Sequence, residues 1–297
     1  MSFSSIQFIY CKNFIAEITK KIYIKYTNII LIIKKINTCD ILKSFEFLSK
    51  KREEKPRNCG ITMVLDKGLG FKTAESLMEI SGEYVDYLKF GWGTTVVHEQ
   101  EIIEKKVEMY KSHDITPYTG GTLFELAYMN NKLEEFFQEA HDLGFKAIEV
   151  SDGSISIPHE NKLECIEMAK NEGFEVLSEV GKKDPNLDKE LTLDERITYM
   201  QEELNSGSSL IIVEAREGGK NIGIFDKSGN AKEDEIDYIL NNFDGSKVLW
   251  EAPNKDQQVF FILKLGNTVN LGNVSSDDIT SLETLRRGLR GDTVGKI

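Results

Sequence analysis

Cysteine is scarce and scattered in this chain: Cys11, Cys39, Cys59 and Cys165 include no C-x-x-C pair. That excludes a disulfide framework and a cysteine-built zinc site, and it suits a reducing, cytoplasmic setting. Histidine is as sparse. His98, His113, His141 and His159 all fall in predicted helices or at loop starts, so no zinc or copper site built from imidazoles is expected. Basic residues are outnumbered, 37 Lys and Arg against 49 Asp and Glu, for a formal charge of −12. A nucleic-acid surface needs clustered Lys and Arg, so that partner is excluded. Neither G-x-x-x-x-G-K-[ST] nor a strand-borne G-x-G-x-x-G occurs, and nucleotide binding has no support.

What is present, from Gly60 onward, is a cadence. Short apolar runs recur, and each closes on charged or small polar residues before a helical stretch begins. They are Ile61–Gly68, Val85–Gly93, Ile115–Thr122, Ala147–Ser154, Glu175–Lys183, Ile211–Gly219, Val248–Pro253 and Val269–Val274, the third being the weakest. Between them lie helical patterns such as Leu133–Leu143, whose Leu133, Phe136, Phe137, Ala140 and Leu143 share one face. Thr192 followed by Glu195 predicts a capping box at the start of another. Eight strands alternating with helices predict a (βα)8 TIM barrel over residues 45–297. Two strand-end loops, Gly181–Leu191 and Gly218–Ala231, are longer than the fold requires and are candidate lids.

Residues 1–44 stand apart as an N-terminal extension, rich in Ile, Lys and Asn and without Gly or Pro. Their longest unbroken apolar run is Ile29–Ile33, far short of the roughly 20 residues of a membrane span. A loosely docked tail is expected, with a membrane-surface helix as the alternative, because Lys20, Lys21, Lys25, Lys34 and Lys35 are basic.

In such barrels the strand ends converge on one mouth, where chemistry is done. Alternation along each strand predicts that Asp66, Glu149, Glu179, Glu214, Glu251 and Asn270 look inward, with Lys89, Lys183 and Arg216 as the cations. Lys182 falls on the other face. Five carboxylates against three cations would repel an anionic substrate unless a divalent cation joined them. The carboxylate-rich set points to Mg²⁺, with Glu149, Glu179 and Glu214 as its candidate ligands. Phosphate has candidate holders in the Glu251–Gln258 turn, in Asn273–Ser275, in Gly218–Gly219–Lys220 and in Arg286, Arg287 and Arg290.

Several segments together go beyond a generic barrel. Leu65–Leu69 (LDKGL), Val85–Thr94 (VDYLKFGWGT), Gly120–Glu125 (GGTLFE), Glu149–Ser154 (EVSDGS), Glu179–Lys183 (EVGKK), Glu214–Gly229 and Ser281–Thr293 (SLETLRRGLRGDT) resemble the phosphosulfolactate synthase family of coenzyme M biosynthesis, a pathway of methanogenesis. The resemblance runs from about Phe45 to Ile297. It implies a carbon–sulfur lyase that depends on Mg²⁺ and adds sulfite to phosphoenolpyruvate, giving (R)-2-phospho-3-sulfolactate, in a homotrimer. It implies a catalytic lysine at the second Lys of GKK, here Lys183. Lys89, Arg216 and Asn273 are then the candidate substrate-binding residues. Family members usually begin just before the segment that is Lys43–Leu48 here, so Leu42 is expected to be the true start, from a non-AUG codon. Two other readings compete. One is a non-enzymatic relative, of the kind linked to heat tolerance in plants. The other is a Schiff-base aldolase using Lys183 or Lys89.

Overall fold

Strands buried on both faces read as continuous apolar runs, and the runs predicted above are the strands observed. The structure, a computed structural model, describes residues 43–215 and 218–297. It divides into two units, Met1–Leu48 and Ser49–Ile297. The described residues of the first carry one 3-10 turn, Glu46–Leu48. The second holds β1 (Thr62–Asp66), β2 (Tyr87–Phe90), β3 (Thr116–Thr119), β4 (Ala147–Val150), β5 (Glu175–Val180), β6 (Leu210–Val213), β7 (Val248–Glu251) and β8 (Leu271–Ser275). They pair in chain order and β8 closes on β1, all parallel. The (βα)8 barrel is therefore the observed fold.

Between the strands run α1 (Phe71–Ser81), α2 (Thr94–Val97), α3 (Gln100–Ser112), α4 (Gly121–Met129), α5 (Leu133–Asp142), α6 (His159–Asn171), α7 (Pro185–Glu190), α8 (Leu193–Ser206), α9 (Glu233–Asn242), α10 (Lys255–Leu265) and α11 (Ile279–Arg286). The capping box forms at α8: the Thr192 side chain accepts from Glu195 N, and Glu195 reaches back to the Thr192 backbone. Three helices, α2, α4 and α7, were not anticipated. α4 begins at paired glycines, which read as a turn. α7 sits inside the first of the two long loops, with Pro185 at its first turn and Asp184 as cap.

Side-chain parity sorts two cores. Met63, Tyr118, Ala147, Leu177, Leu210, Ile212 and Leu249 fill the barrel. Their outward neighbours, such as Val64, Ile148, Val176, Ile211 and Trp250, pack under the helices. The same parity decides which strand-end side chains reach the mouth. At β8 it is broken. The β1–β8 register shifts between Thr62 and Val64, and Asn273 takes φ 52°. A bulge of this kind re-aims a side chain, and Asn273 lines the mouth beside Leu65 and Gly91.

Candidate active site

The mouth is a cavity of ≈ 290 Å³ at the carboxyl ends of the strands. Its lining includes Lys89, Gly121, Glu149, Glu179, Lys183, Glu214, Glu251 and Asn273. Glu149, Glu179, Glu214 and Glu251 are each no more than 1 % exposed. Lys89 rises from β2 among them, with Nζ 2.9 Å from Glu149 Oε2, 3.5 Å from Glu251 Oε1 and 4.0 Å from Glu179 Oε2. Burial works against the charge on Lys89, yet Glu149 and Glu251 outweigh it and hold the ammonium well above its ordinary pKa. Burial likewise raises Glu149 and Glu251 against the pull of Lys89.

Glu179 and Glu214 form a proton-sharing pair. Burial, the Glu179 charge and Glu251 push Glu214 well above the usual carboxylate range. Burial also opposes the charge on Glu179, but Lys183, Lys89 and the hydrogen bond with Glu214 prevail and hold it low. Two like carboxylates in contact cannot both ionise cheaply. These opposite shifts favour Glu214 over Glu179 as the protonated partner of the pair.

Lys183 stands at the rim, with Nζ 3.3 Å from Thr122 Oγ1, 3.7 Å from Glu125 Oε1 and 3.8 Å from Glu179 Oε1. Burial is again outweighed by the surrounding glutamates, so its pKa is raised and the ammonium stays charged. Lys182 turns the other way and grips Asp152 through both the side chain and the carbonyl oxygen, the latter at 2.9 Å. The alternation argument for these neighbours matches the geometry.

Elsewhere parity misled. Asp66 is buried on the outside of the barrel, where it accepts from Tyr110 Oη at 2.8 Å and pairs with Lys106 at 2.6 Å. It also caps the loop amides of Gly68 and Leu69. Leu65 has the inward place instead. Asn270 lies at the opposite end, bonding Ile61 N and the carbonyls of Ser246 and Val248. Arg286 belongs to that floor too, donating to the carbonyls of Asn267, Val269 and Ile61. Arg287 pairs with Glu283 and Arg290 with Asp292, so each has an acidic partner within the chain. In the Glu251–Gln258 turn, Asn254 and Gln257 cap α10 themselves and hold the carbonyls of Gly218 and Gly219. Arg216 lies outside the described residues.

Among the described residues, the carboxylates able to share one cation are Glu179, Glu214 and Glu251, whose oxygens lie within 4.8 Å of one another. Glu149 is outside that trio. Its Oε1 accepts from Gly121 N at 2.7 Å and its Oε2 faces Lys89. Gly121 is required there, because a Cβ would come within 2.8 Å of Glu149 Oε1. Glu179 Oε1 and Glu251 Oε1 are buried and accept no hydrogen bond. An all-oxygen set of buried acceptors suits a hard divalent cation.

Glu125 escaped the sequence reading altogether. It comes from α4, not from a strand, so strand alternation is silent about it. Its only signal was its place in the GGTLFE segment.

Comparison with known proteins bears on this mouth. A family model for (2R)-phospho-3-sulfolactate synthase (ComA) matches residues 50–292. The chain is 54 % identical to the phosphosulfolactate synthase of Methanothermobacter thermautotrophicus, over 86 % of this chain and 99 % of that protein. It is 50 % identical to that of Methanocaldococcus jannaschii, over 86 % and 100 %. The protein HEAT-STRESS-ASSOCIATED 32 of Arabidopsis thaliana is more distant, 24 % identical over 82 % of this chain and 91 % of that protein.

Proposed function

We propose that this chain, which belongs to the (2R)-phospho-3-sulfolactate synthase family, adds sulfite to phosphoenolpyruvate to give (R)-2-phospho-3-sulfolactate, a step of coenzyme M biosynthesis. The observation that carries the reading is the meeting of one charged lysine, Lys183, with a buried carboxylate trio in a single cavity. Identity near one half to two synthases, against about a quarter to the plant heat-stress protein, favours an enzyme over a non-enzymatic relative. The lyase class follows from the C–S bond concerned.

In the addition, sulfur attacks the methylene carbon of phosphoenolpyruvate and the C–S bond forms. The π electrons move through the adjacent carbon onto the carboxylate. Lys183 then delivers a proton to that carbon as general acid. An ammonium whose pKa is raised is a weak acid, but a carbon carrying enediolate charge is a far stronger base, so the transfer runs downhill. Lys89, anchored among Glu149, Glu179 and Glu251, offers fixed positive charge where two anions must approach. Asn273 presents its amide from the bulge, and we assign it and Arg216 to substrate binding. Glu179, Glu214 and Glu251 would hold Mg²⁺, which when bound supplies Lewis-acid stabilisation to a substrate carboxylate. Glu149, the other candidate ligand, stays as the partner of Lys89.

The test is sulfite-dependent consumption of phosphoenolpyruvate by the purified protein, with and without chelator. Turnover is expected only with both substrates, to be lost on chelation and restored by Mg²⁺ or Mn²⁺. Turnover that survives thorough chelation would remove the metal from the proposal, and none under any condition would remove the activity. A cytoplasmic homotrimer completes the reading. No helix of the described residues is long and apolar enough to cross a membrane, and sedimentation would test the trimer.

A further inference from the structure

Between β4 and α6 the chain crosses the mouth as Ser151–Asp152–Gly153–Ser154, and this short segment touches the lysine that the proposed chemistry needs. Lys183 N donates to Gly153 O at 2.8 Å. The Lys183 side chain then lies across Gly153 itself, where an added Cβ would come within 3.2 Å of both Cγ and Cε of that lysine. Gly153 is therefore the seat of Lys183, holding its backbone by a hydrogen bond and its stem by contact.

What holds the seat? On the outer side Asp152 is gripped by Lys182 and by Lys162 Nζ at 3.0 Å, the latter also bonding Glu179 O at 2.6 Å. On the inner side Glu125 holds it. Glu125 of α4 is 1 % exposed. Its carboxylate accepts from Ser151 Oγ and from Ser154 N, at 3.1 Å to Oε2, so it spans the segment and grips it on both flanks of Gly153. The same carboxylate lies 3.7 Å from Lys183 Nζ.

We propose that Glu125 is a positioning residue that seats Lys183: it locks Ser151–Ser154 in place beneath the lysine and draws the ammonium over the mouth. Glu125 is neither in the lining of the mouth nor in the carboxylate trio, so its role is geometric. Misplacing a reacting group by about 1 Å costs on the order of 10²-fold in rate, and that is the scale on which Glu125 acts.

The inference rests on Lys183 as proton donor, and the experiment separates the two. Steady-state rates are measured for the full chain and for Glu125→Ala and Glu125→Gln, with hydrogen–deuterium exchange followed over residues 147–157. Glu125→Ala is expected to lower kcat by about 10²-fold with KM for phosphoenolpyruvate within about threefold, and to speed exchange at Ser154. Glu125→Gln keeps the size and one of the two acceptor oxygens, so exchange should fall between that of Glu125→Ala and that of the unaltered chain and part of kcat should return. It also covers the case in which the alanine variant fails to fold. Unchanged kcat in the folded alanine variant would overturn the proposal. So would a rise in KM with kcat intact, or unaltered exchange. If the unaltered chain shows no turnover while exchange still accelerates in Glu125→Ala, the clamp stands and it is the activity that has failed.

Discussion

At the floor of the barrel Arg286 is buried against the carbonyls of Ile61, Asn267 and Val269; at the mouth Glu179, Glu214 and Glu251 are buried against one another. The floor charges have partners of opposite sign or fixed dipoles, Arg286 Nε excepted. Arg52 pairs with Glu283, and Arg57 meets Asp86 at 2.9 Å while Asp86 also accepts from Thr62 N. The mouth has more acids than cations and keeps buried oxygens without a hydrogen bond. A satisfied buried charge braces strands, whereas an unsatisfied one is costly unless something binds it. The contrast is between an end that stabilises the barrel and an end held ready for ligands.

The sharpest break between the two ends comes from the lysine pair. Lys183→Ala is expected to lower kcat by about 10²–10⁴-fold in a chain that still folds. Lys182→Ala should stay within about tenfold of the unaltered rate, because Lys162 still grips Asp152 when that ammonium is gone. If Lys182→Ala proves the inactive variant, the role of proton donor must move.

Arg286→Met should do the reverse. It strands the carbonyls of Asn267 and Val269 ahead of β8 and leaves Glu283 with one cation fewer nearby. A loss of about 3–5 kcal/mol of stability is expected, read as a lower denaturant midpoint, with kcat per folded molecule unaltered. A loss of kcat in the folded variant would mean that floor and mouth are coupled.

Glu214→Gln refines the contrast at the mouth. Burial and its acidic neighbours favour protonated Glu214, so an amide of the same shape is expected to change stability by less than about 1 kcal/mol. Activity at limiting Mg²⁺ should nonetheless fall by about tenfold or more, since an amide is a poorer ligand than the carboxylate that metal binding would deprotonate. A stability change of several kcal/mol would place the shared proton elsewhere.

The smallest effect is expected from the N-terminal extension. A chain beginning at Lys43 should match the full chain in turnover and in unfolding midpoint, since both ends compared above lie in Ser49–Ile297. Lost activity would give residues 1–42 a part in the enzyme.

Much of this was legible from residue order. Apolar runs closing on charge, with one-faced helical patterns such as Leu133–Leu143 between them, announced the barrel because strand and helix periods are local properties of the chain. Parity along the strands found Glu149, Glu179, Glu251, Lys89 and the Lys182–Lys183 contrast for the same reason. It failed at Asp66, where one step at the strand end decides between mouth and helix layer, and at Asn270, which points inward at the wrong end. It chose Glu149 over Glu251 as a metal candidate because alternation cannot say that Lys89 and Gly121 occupy the former.

Sequence by itself determined the (βα)8 architecture, the acidic mouth and the family. Only the tertiary structure decided that the late arginines brace the floor, that a bulge turns Asn273 inward, that Glu179, Glu214 and Glu251 gather within 4.8 Å, and that Glu125 reaches in from a helix. The physical reason is one of range. Periodicity and caps depend on residues a few positions apart, whereas burial, shared protons and ion pairs depend on side chains brought together from strands and helices far apart in the chain.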